Sequence, residues 1–135
     1  MIDTPPVYQS ARASIHIGSG DDILPTIAAG AFDAIATAPA VKALRPDGLD
    51  SFAEHFVRIA SRGIVVVDFD DAAQEWADAF RRRGLHVRVY GTHNDLIPVV
   101  VASRSLQRRG RADGDVVETA VEAIESFEPK SVLDP

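Results

Sequence analysis

Two kinds of apolar pattern alternate along this chain. In one kind the apolar residues are almost continuous, which is typical of strands buried on both faces of a sheet. Such runs lie at residues 32–37, 64–69 and 97–103. In the other kind, apolar residues recur at helical spacing, as Phe52 and Phe56 do, and likewise Trp76 and Phe80. The alternation predicts an α/β domain in which helices cover a sheet.

Glycines, prolines and capping residues set the expected limits of these elements. A short helix is predicted from Asp21 or Asp22 to Ala29. Longer helices are predicted at 50–62, ended by Gly63, at 70–83, ended by Gly84, and at 115–127. Strands are predicted at 14–17, 32–37, 64–69, 85–90, 97–103 and around 131–133. Since a short turn joins 85–90 to 97–103, we expect these two strands to form an antiparallel pair.

The elements together predict one three-layer α/β domain at 14–135, preceded by an extended, polar arm at 1–13 that contains Pro5 and Pro6. The expected sheet is mostly parallel, with about five strands and a terminal antiparallel pair. A chain of 135 residues fits a single domain and buries roughly two-thirds of its unfolded surface.

Composition narrows the class of protein. With 46% hydrophobic and 25% charged residues, the chain is globular. A formal net charge of −6 argues against a protein that simply coats nucleic acid. The absence of cysteine excludes disulfides, zinc–thiolate sites and thiol catalysis, and it is compatible with the reducing cytoplasm, which is the expected location. No apolar run reaches the ~20 residues of a membrane span, and the first residues do not form a secretory signal.

Several residues carry candidate chemistry. Asp68 follows a buried strand at the place where open α/β sheets bind ligands, although we favour a cap of the next helix or an arginine partner for it. A basic patch could contact DNA or an acidic partner, with a solvated loop as the default interpretation; its members are Arg104, Arg108, Arg109 and Arg111. The histidines lack ligand-like spacing, so no metal site is predicted; they are His16, His55, His86 and His93.

The segment 15–41 (IHIGSGDDILPTIAAGAFDAIATAPAV) resembles the start of the amino-group DNA methyltransferases of the permuted, β-type order, which modify adenine N6 or cytosine N4. In that family the second strand ends in Asp-Pro-Pro-Tyr. This chain has a different quartet there, Ala38, Pro39, Ala40 and Val41.

The remaining segments follow the order of the same family. Residues 52–69 resemble its helix, glycine turn and strand, and residues 95–103 resemble its late antiparallel strand. Residues 116–135 resemble the helix and strand that lead to its S-adenosylmethionine loop, Asp-Pro-Phe-x-Gly-Ser-Gly, of which the sequence contains Asp134 and Pro135. The resemblance covers about 14–135 and implies half of a Rossmann-like methyltransferase fold.

The departures from the family motifs have chemical consequences. The resemblance assigns the quartet the task of accepting a hydrogen bond from the target amino group and of stacking on the base. Ala38 has no polar side chain for the first task, and Val41 has no aromatic face for the second, a contact worth ~1–3 kcal/mol on single strands. We therefore predict no catalytic residue in the quartet.

The cofactor expectation follows in the same way. The family-equivalent cofactor positions are Asp134 and Pro135, without the glycine loop. S-adenosylmethionine is expected only if a partner supplies that loop.

The expected function is therefore that of a catalytically inactive, methyltransferase-like domain that acts in binding or regulation. The alternative is the N-terminal part of a split or truncated S-adenosylmethionine-dependent DNA amino-methyltransferase. The family's final strand lies in the middle of its sheet, so Val132 and Leu133 are expected to form an exposed edge here. Such an edge predicts a homodimer or a protein partner.

Overall fold

The computed structural model describes residues 8–9, 14–15, 20–39, 48–69, 71–91, 97–105 and 116–134. The helical elements are α1 (Gly20–Ile23), a 3₁₀ turn (Leu24–Thr26), α2 (Gly48–Ile59), α3 (Ala73–Arg82) and α4 (Val116–Ser126). The strands are β1 (Tyr8–Gln9), β2 (Ser14–Ile15), β3 (Phe32–Thr37), β4 (Ala60–Val67), β5 (His86–Tyr90), β6 (Val99–Ser103) and β7 (Val132–Leu133). Within these ranges no helix is long and apolar enough to cross a membrane.

Five strands form a mixed sheet in the order β5-β6-β4-β3-β7. Strand β3 lies between β4 and β7 and is parallel to both. Strand β6 lies between β4 and β5 and is antiparallel to both. The α/β class, the five strands and the antiparallel pair at one edge match the sequence prediction, and the sheet as a whole is mixed.

The sheet separates two apolar cores. Because neighbouring residues of a strand face opposite sides, Ile64 and Val66 of β4 pack with α2 and α3, whereas Val65 packs with α4. The larger core contains Trp76, whose indole stacks between two phenylalanine rings. The described part of the chain thus forms three layers.

Two predicted element limits are wrong. Helix α2 ends at Ile59, and the chain enters β4 directly at Ala60, so Gly63 lies inside a strand and does not end a helix. A Cβ at this position would overlap the ring of Phe127, so the glycine is needed for a close approach. At the other end, β4 stops at Val67, and Phe69, predicted as a strand residue, is 60% exposed.

The N-terminal elements also differ from the prediction. Strand β2 pairs antiparallel with β1, which falls within the predicted extended arm, and these two strands form their own small sheet. The predicted helix to Ala29 ends earlier, because the chain passes from α1 into a 3₁₀ turn that contains Pro25. Proline has no N–H to continue an α-helix. Gly30, at φ +70, then turns the chain toward β3.

Candidate functional site

The carboxyl ends of the parallel strands β3, β4 and β7 meet at one edge of the sheet. The register pairs Thr37 with Val66, and Ile35 with Leu133, so the residues after these strands lie along the same edge. We call this the carboxyl edge; its residues are Ala38, Pro39, Asp68, Phe69 and Asp134. Open α/β sheets bind ligands at this place.

Those family-equivalent positions that the structure describes lie at the carboxyl edge. Ala38 is exposed, Pro39 is half-buried, and Asp134 is exposed. Ala40, Val41 and Pro135 lie outside the described residues. The described half of the quartet and the first family-equivalent cofactor position therefore follow neighbouring parallel strands.

Asp68 is fixed by the turn that leads into α3. Its carboxylate Oδ2 accepts a hydrogen bond from the backbone N–H of Ala72 at 2.7 Å. Its own N–H donates to the carbonyl of Pro98 at 3.0 Å, which ties the end of β4 to the residue that precedes β6. The side chain is buried. The carboxylate thus holds the turn before α3 and does not cap the helix itself, because the N-cap residue is Ala72, whose own N–H it binds.

Phe69 is the aromatic residue of the carboxyl edge that sequence reasoning assigned to a buried strand. Its side chain is 60% exposed. The chain leaves the sheet here, and Asp71 adopts a left-handed conformation with φ 56. The run of aspartates around Phe69 is the signal that could have placed this residue in a loop.

Three arginines bind helix ends at the opposite, amino edge of the sheet. Arg58 donates to the carbonyl of Leu24, in the 3₁₀ turn, and to that of Ile27, just after the turn. Arg62 donates to the carbonyls of Phe127 (2.9 Å) and Glu128 (2.7 Å), just after α4. Arg104 donates to the carbonyls of Val57 and Ala60, at the end of α2. Carbonyls at helix ends lack helical partners and carry partial negative charge, so these cations stabilise them.

The predicted basic patch is represented in the described structure by Arg104. Because β6 runs antiparallel to β4, Arg104 lies at the amino edge, and its guanidinium binds the end of α2. The carboxyl edge is the length of β4 away, roughly 25 Å for a strand of eight residues. Arg108, Arg109 and Arg111 lie outside the described residues. The structure therefore does not bring Arg104 to Ala38 or Asp134.

Asp33 fastens the edge strand β7 to β3. Its Oδ2 accepts the N–H of Lys130 at 2.7 Å, and its Oδ1 accepts the hydroxyl of Ser61 at 3.2 Å. The N–H of Asp33 donates to Oγ of Ser131 at 3.0 Å, and the N–H of Ala34 donates to the carbonyl of Ser131. The hydrogen bond from Lys130 is the main cause that lowers the pKa of Asp33 below its ordinary value. Sequence reasoning did not identify this residue.

We expect the contribution of Asp33 to depend on pH. Since its pKa is lower in the folded than in the unfolded chain, its stabilisation is fully present above the unfolded value of 3.8 and is lost as the pH falls through the folded value. Asp33→Asn should therefore lower the urea midpoint at pH 7 and speed amide exchange at Ala34. The difference from wild type should shrink at pH 3, below the unfolded pKa.

A matched control for Asp33→Asn is Asp22→Asn, which removes an exposed carboxylate from α1. This variant should leave the exchange of Ala34 unchanged. If Asp33→Asn lost the same stability at every pH, the carboxylate would not be the group that fastens β7.

No family model, curated protein or solved structure matches this chain. In the described ranges, no group of three or more histidine, cysteine, aspartate or glutamate residues could hold a metal ion. Nδ1 of His55 is 3.1 Å from Nη2 of Arg58, and His86 is exposed on β5. His16 and His93 lie outside the described residues.

Proposed function

We propose that this chain is a Rossmann-like, methyltransferase-type domain that does not catalyse methyl transfer and acts by binding a protein. The carboxyl edge is the observation that carries the proposal. Ala38 occupies the place of the acid expected from the family resemblance, and its side chain is a methyl group. The carboxylate of the neighbouring Asp68 holds the turn before α3.

The directions of the strands support the Rossmann-like part of the proposal. Strands β3, β4 and β7 are parallel neighbours. Strand β5 runs in the same direction, because it and β4 are each antiparallel to β6. The one reversed strand, β6, falls in the segment that resembles the late antiparallel strand of the methyltransferase family.

The chemistry of the carboxyl edge supports the non-catalytic part. Methyl transfer to an amino group needs a hydrogen-bond acceptor on the protein that orients the nitrogen lone pair toward the methyl donor. Such orientation supplies much of the rate of these reactions. Ala38 cannot accept a hydrogen bond through its side chain. Phe69 and Pro39 offer apolar contact, which can hold a planar group without positioning a nitrogen lone pair.

The free edge of the sheet supports a binding role. Leu133 packs on the larger core, whereas Val132 is 43% exposed, and no described strand lies on the far side of β7. Open strand edges pair readily with other chains, so self-association or a protein partner at β7 fits this geometry. A DNA partner is less favoured, since the chain carries a net charge of −6 and Arg104 binds its own helix end.

A methyl-transfer assay tests the proposal. The chain is incubated with tritiated S-adenosylmethionine and unmodified duplex DNA, and label in the DNA is counted. We expect no label above that of a blank without protein, because the side chain of Ala38 offers no hydrogen-bond acceptor for the target amino group. Label that increases with time and with protein concentration would contradict the proposal.

An alternative function is half of an S-adenosylmethionine-dependent DNA methyltransferase that another polypeptide completes. The observation in its favour is that Ala38 and Asp134 follow adjacent parallel strands, so the two family-equivalent positions share one edge. With a completing polypeptide present, this alternative requires label in the assay above. It also requires Ala38→Asp combined with Val41→Tyr to raise the signal, since these changes restore the acid and the aromatic residue.

A further inference from the structure

Only part of one face of the sheet is covered by a described helix. Helices α2 and α3 pack on one face, whereas α4 alone packs on the other, mainly over β4 and β6. Val132 belongs to the α4 face, because its neighbour Leu133 packs on the opposite core. Ala36 belongs to the same face, since it is paired with Val65, which packs under α4. The part of this face that β3 and β7 form therefore lies to one side of α4.

The two flanks of α4 differ in burial. Thr119, on one flank, is buried. On the other flank, Val117 and Val121 lie one turn apart and are 65% and 44% exposed. Ala120, Ala123 and Ile124 lie between the flanks and pack on the sheet. One flank of α4 is thus an open apolar wall.

Chain direction and handedness place this wall toward β7. Helix α4 runs antiparallel to β4, because Arg62, near the start of β4, binds the carbonyls that follow the end of α4. The unit β3-α2-β4 is parallel, and such units cross over with a right hand. With that hand, the flank of α4 that carries Val117 and Val121 faces β3 and β7. We call the resulting surface the α4 groove, with Val117 and Val121 as its wall and Ala36 and Val132 as its floor.

The rim of the α4 groove is acidic. Glu118 and Glu125 are exposed on the outer side of α4, and α4 contains no lysine or arginine. Two copies that packed through this helix would bring like charges together, which is unfavourable. Nucleic acid and anionic membranes are disfavoured for the same reason. A second copy also has no spare apolar helix among the described residues, because α2 and α3 bury their apolar faces in the larger core.

We propose that the α4 groove binds a basic amphipathic helix of a partner protein, laid beside α4 as the second helix of that layer. This inference rests on the proposed function, to which it adds the surface and the class of partner. Packed helices lie about 8–10 Å apart, so apolar residues of the partner would reach Val117, Val121 and Val132. Lysine or arginine beside its apolar stripe would meet Glu118 and Glu125.

Fluorescence anisotropy with the full chain tests the inference. The probe is a labelled peptide of about 18 residues in which leucine and lysine form an amphipathic helix. A second probe has glutamate in place of every lysine. We expect saturable binding of the lysine probe and no saturable binding of the glutamate probe.

Paired variants locate the binding surface. Val117→Ser combined with Val121→Ser should weaken binding of the lysine probe about tenfold or more, as expected for loss of central apolar contacts. Val89→Ser removes a valine of similar exposure (43%) from β5, at the other edge of the sheet, and should change the affinity less than about twofold. All three valines are exposed, so circular dichroism should show that each variant remains folded.

Charge reversal tests the acidic rim. Glu118→Lys combined with Glu125→Lys should abolish binding of the lysine probe and create binding of the glutamate probe. Glu54→Lys combined with Glu75→Lys changes the net charge equally on exposed positions of α2 and α3, and should leave the preference for the lysine probe unchanged.

Three outcomes of the peptide assays would overturn the inference: no binding of the lysine probe, equal binding of both probes, or an effect of Val89→Ser equal to that of the Val117 and Val121 substitutions. A dimer in light scattering that the Val117 and Val121 variant abolishes would make a second copy the occupant, and would also overturn it. Methyl transfer in the assay above would overturn the proposed function and leave probe binding to the groove unaffected. If the lysine probe does not bind and no methyl transfer is found, the inference about the α4 groove is overturned and the proposed function is unaffected.

Discussion

Replacing Trp76 with alanine is expected to lower the free energy of unfolding by about 3–5 kcal/mol. The indole is fully buried between Phe56 and Phe80, with ring centroids 5.9 Å and 5.8 Å away. It joins α3 to α2, so the cavity would open at the centre of the larger core. Because domains of this size are stable by only about 5–15 kcal/mol, the substitution should remove a large part of the total stability.

Urea unfolding followed by circular dichroism measures this effect, since the substitution removes the only tryptophan of the chain. Trp76→Phe is the matched control, because it keeps a ring in the stack. The indole Nε1 has no hydrogen-bond partner within the described structure, so its removal costs no bond there. We expect Trp76→Phe to cost about 1–3 kcal/mol. A Trp76→Ala variant within about 1 kcal/mol of wild type would mean that the stack does not hold α2 and α3 together.

Gly63→Ala is expected to destabilise the domain by about 1–3 kcal/mol, although alanine is otherwise a mild change. The Cβ would overlap the ring of Phe127, which lies over the bare backbone of β4. Arg62 binds the carbonyl of Phe127 and holds the backbone at the end of α4, while the ring itself packs against the smaller core. The ring, β4 or α4 must therefore shift, and the smaller core loses packing.

Thermal or urea unfolding of three variants tests this contact. Gly91→Ala is the control: no atom lies within 4 Å of its added Cβ, so the change should stay within about 0.5 kcal/mol. Phe127→Leu shortens the side chain that the new Cβ would meet. Combined with Gly63→Ala, it should show a favourable coupling of about 0.5–3 kcal/mol. Additive effects of the two substitutions would contradict the proposed overlap.

The sequence predicts those elements that are decided by local pattern. The strand at 32–37 matches β3, and the helical spacing of Trp76 and Phe80 correctly predicts α3. Gly63 is the contrasting case. A glycine after a helical pattern is a common helix end, but Gly63 lies inside β4 and leaves room for a ring 64 positions later. The limit of β4 at Val67 was missed for a similar reason, because Phe69 continues the apolar run although its ring is exposed.

The residues of the candidate site also differ in whether their contacts are local in the sequence or depend on the fold. A local role for Asp68 was predictable, because its partner Ala72 is four residues away, but the bond holds the turn before α3 and does not cap the helix. Asp33 could not be identified, since its partner Lys130 is 97 residues away and only the fold brings them together. Arg104 was a candidate contact for DNA or an acidic partner, with a solvated loop as the default interpretation, whereas its guanidinium binds carbonyls at the end of α2. A basic residue that holds its own helix end has the same sequence signature as one that faces a ligand.

Titration of S-adenosylmethionine into the isotope-labelled chain, followed by NMR, tests the central claim most directly. The claim is that the carboxyl edge has the methyltransferase arrangement of strands without its cofactor chemistry. We predict that the amide signals of Ala38 and Asp134 stay unchanged up to millimolar cofactor. Saturable shifts of both signals at micromolar cofactor would contradict the claim, because they would show that the carboxyl edge binds the cofactor without a completing polypeptide.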